Sequence, residues 1–329
     1  MPAGFQAVSV TFASPTEGWV LGSVGCGTSH CLAIVHTLDA GRTWATIPAP
    51  PTTLSPDRGW PGATGGVGGL RFADPLDGWA FGPELWATHD GGQSWARLTI
   101  PGHSGSVVVA LEAAHDLVHA VLYDGKVAFR IASSRVGTDT WRLSSLVLPF
   151  GAGPVAEVQL VLSGGAGWVL QNDRTVVNGA RLVGGSWRAW QPACADVVGP
   201  AYLAASSAED LVAACDLGLW STPAGGHLFV SHDGGLTFVE TGTRVPGGLE
   251  AEIASPGTST VIVAGGAGTR SVLVGSFDGG RTWTTVFSGG AAASSDLGFT
   301  TPTQGVVVTN DGRLLMTRDG GRSWAQVRF

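Results

Sequence analysis

Short runs of Val, Leu, Ala and Thr alternate along the chain with clusters of Gly, Asp and Pro. Gly167-Trp168-Val-Leu, Asp210-Leu-Val-Ala-Ala and Gly305-Val-Val-Val are examples. Apolar runs of this length bounded by turn formers predict many short β-strands. No stretch longer than a few residues places apolar positions at helical spacing. The 51 Gly and 18 Pro strengthen the reading, because both punctuate turns and break helices. The fold class expected is all-β.

One turn recurs. It reads Thr37-Leu-Asp39-Ala-Gly41-Arg-Thr43-Trp44, then Thr88-His-Asp90-Gly-Gly92-Gln-Ser94-Trp95, then Ser231-His-Asp233-Gly-Gly235-Leu-Thr237-Phe238. Ser276-Phe-Asp278-Gly-Gly280-Arg-Thr282-Trp283 and Thr317-Arg-Asp319-Gly-Gly321-Arg-Ser323-Trp324 complete the set. Two degenerate copies fill the gap after Trp95. Ser134-Arg-Val-Gly-Thr-Asp-Thr140-Trp141 has Val136 in the Asp position, and Ala180-Arg-Leu-Val-Gly184-Gly-Ser186-Trp187 has Leu182 there. The closing aromatics then stand 41 to 51 residues apart, the length of a four-stranded propeller blade. The pattern resembles the Asp-box, or BNR repeat, of sialidases, sortilin-like receptors and Ycf48-like photosystem assembly factors. The resemblance covers essentially the whole chain.

The expectation is a single seven-bladed β-propeller over residues 1–329. Its four-stranded antiparallel blades fall near 5–50, 66–101, 106–148, 155–192, 196–243, 248–289 and 293–329. A strand–turn–strand precedes each box, as in Phe12-Ala-Ser-Pro-Thr-Glu-Gly18-Trp19 and Phe72-Ala-Asp-Pro-Leu-Asp-Gly78-Trp79. These are read as strands A and B, and the box as the turn between C and D. Asp39, Asp90, Asp233, Asp278 and Asp319 then have a structural role. Each side chain accepts hydrogen bonds from nearby backbone N–H groups and holds the turn.

In such a blade the A–B and C–D turns share one face, and the B–C and D–A loops share the other. The second face collects the irregular sequence. His30 lies in the loop Cys26-Gly-Thr-Ser-His-Cys31. Asp57, Arg58 and Trp60 lie in the longest insertion, 48–66. Asp216, Trp220 and His227 lie in the B–C loop of blade 5. Loops on a rigid scaffold are where binding sites concentrate, so these seven residues are the candidate ligand contacts. Four cysteines allow three pairings. Cys26–Cys31 with Cys194–Cys215 is favoured, because Cys194 precedes strand A of blade 5 and Cys215 ends strand B, at the same end of that blade. Four buried free thiols are the alternative.

An enzyme is the competing reading. The sialidase resemblance implies a Tyr nucleophile paired with Glu, an Asp acid/base and three Arg. The chain has only Tyr123 and Tyr202, and Phe129-Arg130-Ile131 lacks the Pro of the Arg-Ile-Pro motif. Sialidase propellers also have six blades. Other propeller glycosidases or lyases use two carboxylates. Glu84, Glu112, Glu157, Glu252 and Asp196 stand near strand ends, and no spacing selects a pair. His115 and His119 are too far apart along a strand to share an ion, and His89 and His232 fill an exposed box position. No metal, cofactor or catalytic residue is expected.

The net charge of −7 and pI near 5.5 argue against a nucleic-acid partner. No apolar run reaches the length of a membrane span. Met1 to Gln6 is not a leader peptide, whereas the cysteines point to an oxidising compartment. A secreted or cell-envelope protein whose leader has been removed reconciles the two. The function expected is a monomeric, non-catalytic binding or scaffold propeller for a protein, peptide or glycan. The alternative is a glycoside hydrolase or lyase.

Overall fold

The computed structural model describes residues 4–55, 65–103, 105–125, 128–149, 157–173, 175–194, 201–215, 225–246, 252–267, 270–290 and 294–329. Its 28 strands form seven sheets of four consecutive antiparallel strands each, which is a seven-bladed β-propeller. The blades span 6–47, 69–97, 107–149, 157–190, 201–245, 252–289 and 294–326.

The chain divides into two compact units. The first, Met1–Phe150 with Val327–Phe329, holds blades 1 to 3. The second, Gly151–Gln326, holds blades 4 to 7. Phe329 packs edge-on against Phe5 and Trp44 of blade 1, at 4.8 and 5.4 Å between centroids.

Within each unit the core is a series of layers shared by neighbouring blades. Blades 1 and 2 bury Trp19, Leu21, Ile34, Leu70 and Phe72 together. Blades 2 and 3 bury Trp79, Leu85, Ile100, Leu111 and Trp141. Blades 4 and 5 share Trp168, Leu203 and Leu211. Strands B are apolar at consecutive positions because both of their faces are covered; Gly78–Phe81 is buried at all four residues. Strands D lie at the blade edge, and Ala96–Arg97 of blade 2 is exposed.

The aspartate turns explain the repeat. Asp39 Oδ1 accepts the Thr37 hydroxyl at 2.9 Å and the Thr43 N–H at 2.8 Å, while Oδ2 accepts the Thr43 hydroxyl at 2.6 Å. Thr37 Oγ1 in turn accepts the Gly41 N–H at 2.9 Å. The same bonds recur around Asp90, Asp233, Asp278 and Asp319. Each turn also docks on the A–B turn of its own blade. Ala40, Gly91, Gly234, Gly279 and Gly320 donate their N–H groups to Thr16, Leu76, Glu209, Ser259 and Thr303 carbonyls at 2.8 to 3.0 Å.

The two degenerate copies solve the turn differently. In blade 3 the donor shifts by one residue: Val136, at the aspartate position itself, donates to the Asp116 carbonyl at 2.9 Å. Thr138 stands in for the missing carboxylate, donating to the Arg135 carbonyl at 3.0 Å and sharing a hydrogen bond with Thr140 at 2.8 Å. In blade 4, Val183 pairs with Ser186 across a two-residue hairpin. Gly184 and Gly185 supply its two left-handed positions, at φ 55° and 75°.

Candidate functional site

Of the seven residues singled out above, His30 and His227 lie near the starts of strands C, Ser29–Thr37 of blade 1 and Gly226–Ser231 of blade 5, rather than in the loops expected. Asp57, Arg58, Trp60, Asp216 and Trp220 lie outside the described residues. His30 is exposed at the tip of the B–C hairpin of blade 1, opposite Gly25. The Cys26–Cys31 disulfide closes that tip. His227 opens strand C of blade 5, opposite Cys215, and its Nδ1 hydrogen-bonds Glu240 at 2.5 Å. Cys215 is joined to Cys194, and both are buried. No free cysteine occurs among the described residues. Each histidine therefore stands beside a disulfide that restrains its loop.

A pocket of about 220 Å³ opens on this same face of the first unit, between blades 2 and 3. One wall is the tight B–C turn of blade 2, where a cis Gly82–Pro83 bond leads into Glu84. The other wall is made by Leu98, Thr99, Ile100, His103, Gly105 and Ser106 of the D–A connection. Leu85, Ile100, Val108 and Leu122 are buried apolar residues of its lining. Backbone bonds fix the walls: Val108 donates to the Pro83 carbonyl at 3.0 Å and Leu98 to the Leu85 carbonyl at 2.8 Å. The polar side chains are Glu84, Arg97, Thr99, His103 and Ser106.

Glu84 is the charged centre. Its Oε2 accepts the Trp86 indole N–H at 2.8 Å and the Thr52 hydroxyl at 2.9 Å, and its Oε1 accepts Arg97 at 3.2 Å. Burial alone raises its pKa, but the donors and Arg97 outweigh burial and hold it below the ordinary value. Glu84 is thus a carboxylate, and it ties the long insertion to blade 2 through Thr52. Arg97 stays 62% exposed, so its guanidinium keeps donors for a bound molecule. His103 Nδ1 sits 3.2 Å from Ser106 Oγ. Glu84 was among the strand-end carboxylates noted in the sequence. Arg97 and His103 carry no local motif.

Several other sequence candidates are paired or buried away from the pocket. Glu112 hydrogen-bonds Arg71 at 2.6 Å. His119 is buried against Ser133, and burial pushes its pKa down to about 4. Tyr202 is 4% exposed, in the core shared by blades 5 and 6. Phe129 and Ile131 are wholly buried in strand C of blade 3. Asp196 lies outside the described residues. Among the described residues no three His, Cys, Asp or Glu side chains could hold a metal ion. Among them, too, no helix is long and apolar enough to cross a membrane.

Solved structures of similar fold cover nearly the whole chain. A YCF48 bound to a D1 peptide matches with a TM-score of 0.65 at 18% identity, over 96% of this chain and 94% of that one. YCF48 from Cyanidioschyzon merolae gives 0.67 at 17% identity, over 97% of each chain. A puromycin-hydrolyzing peptidase of Mycobacterium tuberculosis gives 0.62 at 14% identity, over 99% of this chain and 53% of its own. At such identities the likeness concerns the fold. No protein-family model matches the chain, and no curated protein matches it.

Proposed function

We propose that the chain is a non-catalytic, extracytoplasmic binding propeller. It holds a protein or peptide on the face of its B–C and D–A loops. The pocket between blades 2 and 3 carries this reading. It has the volume for one large side chain, a mixed lining of apolar residues and polar groups, and Arg97 and His103 for polar contact. A similar fold has been solved with a peptide bound, which supports a peptide over a glycan. Two disulfides support an oxidising compartment. His30, Asp57, Arg58, Trp60, Asp216, Trp220 and His227 are assigned as further contacts. Among the described residues Glu84 is the one carboxylate lining the pocket, whereas a two-carboxylate hydrolysis needs a pair.

Selection from a displayed peptide library, followed by calorimetry on the best binders, tests the proposal. Arg97→Ala and His103→Ala should each weaken binding about tenfold, the effect of removing a contact worth about 1.4 kcal/mol. Leu38→Ala and Leu236→Ala, on the aspartate-turn face, should leave it unchanged. Binding lost with Leu38 and Leu236 but kept without Arg97 and His103 would place the site on the wrong face.

A further inference from the structure

We propose that His89 is a proton-operated clip that closes blade 2 onto blade 3. His89 stands between the Thr88 and Asp90 positions of the blade 2 aspartate turn. Its Nδ1 meets Asp77 Oδ1 of the A–B turn in the same blade. Its Nε2 meets Asp139 Oδ2, in the C–D turn of blade 3, at 2.9 Å. One ring thus spans two carboxylates from different blades, one on each nitrogen.

The chemistry of imidazole makes this arrangement depend on a proton. A neutral ring has one N–H and one lone pair, whereas the imidazolium donates from both nitrogens. Two ionised carboxylates can both be satisfied only by the imidazolium. When it loses a proton, one of them faces a lone pair. Asp139 is the more dependent of the two, because its Oδ1 is buried with no hydrogen-bond partner. Burial of His89 disfavours its charge, but the bonds from Asp77 and Asp139 outweigh burial and raise its pKa.

The neighbouring charges do not supply a substitute. Asp74 caps its own turn by accepting the Leu76 and Asp77 N–H groups at 2.8 Å. Asp90 is engaged with Thr88 and Ser94. Arg135 and Asp116, in the adjacent turns of blade 3, pair with each other at 3.8 Å and are largely exposed. The clip is therefore shut below the His89 pKa and open above it. Blade 3 has Val136 where the intact turns have a carboxylate, and Asp139 gives its turn a tie to the preceding blade.

A proton–carbon NMR titration of the full chain tests this, with the His89 ring signal assigned by its loss in His89→Gln. His89 should titrate above the ordinary histidine value of about 6.5, and Asp139→Asn should move it down. Exchange protection of the Val136 amide, normalised to the intrinsic rate, should fall across the same titration. In His89→Gln that protection should be low at every pH. A His89 that titrates at or below the ordinary value overturns the proposal, and the wild-type curve alone decides that point. So does a Val136 protection profile that changes equally with pH in wild type and His89→Gln.

Discussion

Trp19 of blade 1 lies flat on Phe72 of blade 2, with ring centroids 3.8 Å apart and planes 3° apart. The same indole donates its N–H to the Gly91 carbonyl, in the aspartate turn of blade 2, at 3.3 Å. Trp168 of blade 4 makes the second contact again, on Gly234 of blade 5 at 3.1 Å. One side chain of strand B thus holds the next blade through its aspartate turn, so the turn that shapes one blade also receives its neighbour.

Removing that tie should be costly. Trp19 is fully buried, and Trp19→Ala should lower unfolding free energy by about 3–5 kcal/mol, the range for deleting a large buried aromatic. Trp19→Phe keeps an aromatic face on Phe72 and loses the N–H, so its loss should be smaller; one such hydrogen bond is worth about 1 kcal/mol. Urea unfolding, read as a shift in midpoint at constant slope, measures both. Equal effects of the two variants would show that the stack on Phe72 contributes nothing of its own.

Blade 1 also carries a local strain that its sister blades avoid. The residue after the turn aspartate is left-handed in all five intact turns: Gly91, Gly234, Gly279 and Gly320 at φ 71° to 75°, and Ala40 at 62°. A left-handed alanine costs about 1–2 kcal/mol, against about 0.5–1 kcal/mol of chain entropy for glycine. Ala40→Gly should therefore stabilise the protein by up to about 1 kcal/mol, seen as a raised melting temperature in calorimetry. A lowered one would mean that the buried Ala40 methyl contributes more packing than strain.

Much of the fold was readable because the repeat is local. The bonds of an aspartate turn all close within five residues, as Thr37, Asp39, Gly41 and Thr43 do. Spacing alone therefore locates the turn, and with it the blade. Trp187 marked blade 4 correctly even though Leu182 pairs with Trp187 in a plain hairpin rather than facing an aspartate turn. What depends on distant partners was not readable. Glu84 receives Thr52 from 32 residues away, and His89 meets Asp139 from 50 residues away. As a sequence position His89 is simply exposed; its two carboxylates come from packing between blades. Arg97 becomes part of a pocket only because the next connection folds back over the B–C turn.

Acid should weaken the aspartate turns in a defined window. The Thr43, Ser94 and Thr282 hydroxyls, with the N–H groups of the same residues, hold Asp39, Asp90 and Asp278 at about 2. An unfolded aspartate titrates near 3.9. A depressed folded value means that the stabilisation is complete above the unfolded pKa and is lost as pH falls towards the folded one. The melting temperature should begin to decline below about pH 6.5, where the unfolded chain but not the buried His119 takes a proton, and should fall further between about pH 4 and 2 as the turns lose their carboxylates. Asp278→Asn should show a shallower acid slope. A wild-type melting temperature that stays level down to pH 2 would contradict the assignment.

The two disulfides should separate cleanly in chemistry and in stability. Cys194 and Cys215 are buried, 2% and 0% exposed, and close a separation of 21 residues. Cys26 and Cys31 sit five residues apart at a hairpin tip, with Cys31 exposed. Loop closure in the unfolded chain predicts about 3 kcal/mol for the longer loop and about 2 kcal/mol for the shorter. The hairpin Gly18–Cys26 with Ser29–Thr37 is paired along its whole length, so replacing its two cysteines with serine should cost less than that. Under mild reduction of the folded protein, a thiol reagent reaches the exposed bond first, and the buried one reacts only after local opening. Alkylation followed by mass spectrometry should label Cys26 and Cys31 before Cys194 and Cys215. Simultaneous labelling of all four would mean that blade 5 opens as readily as the hairpin tip.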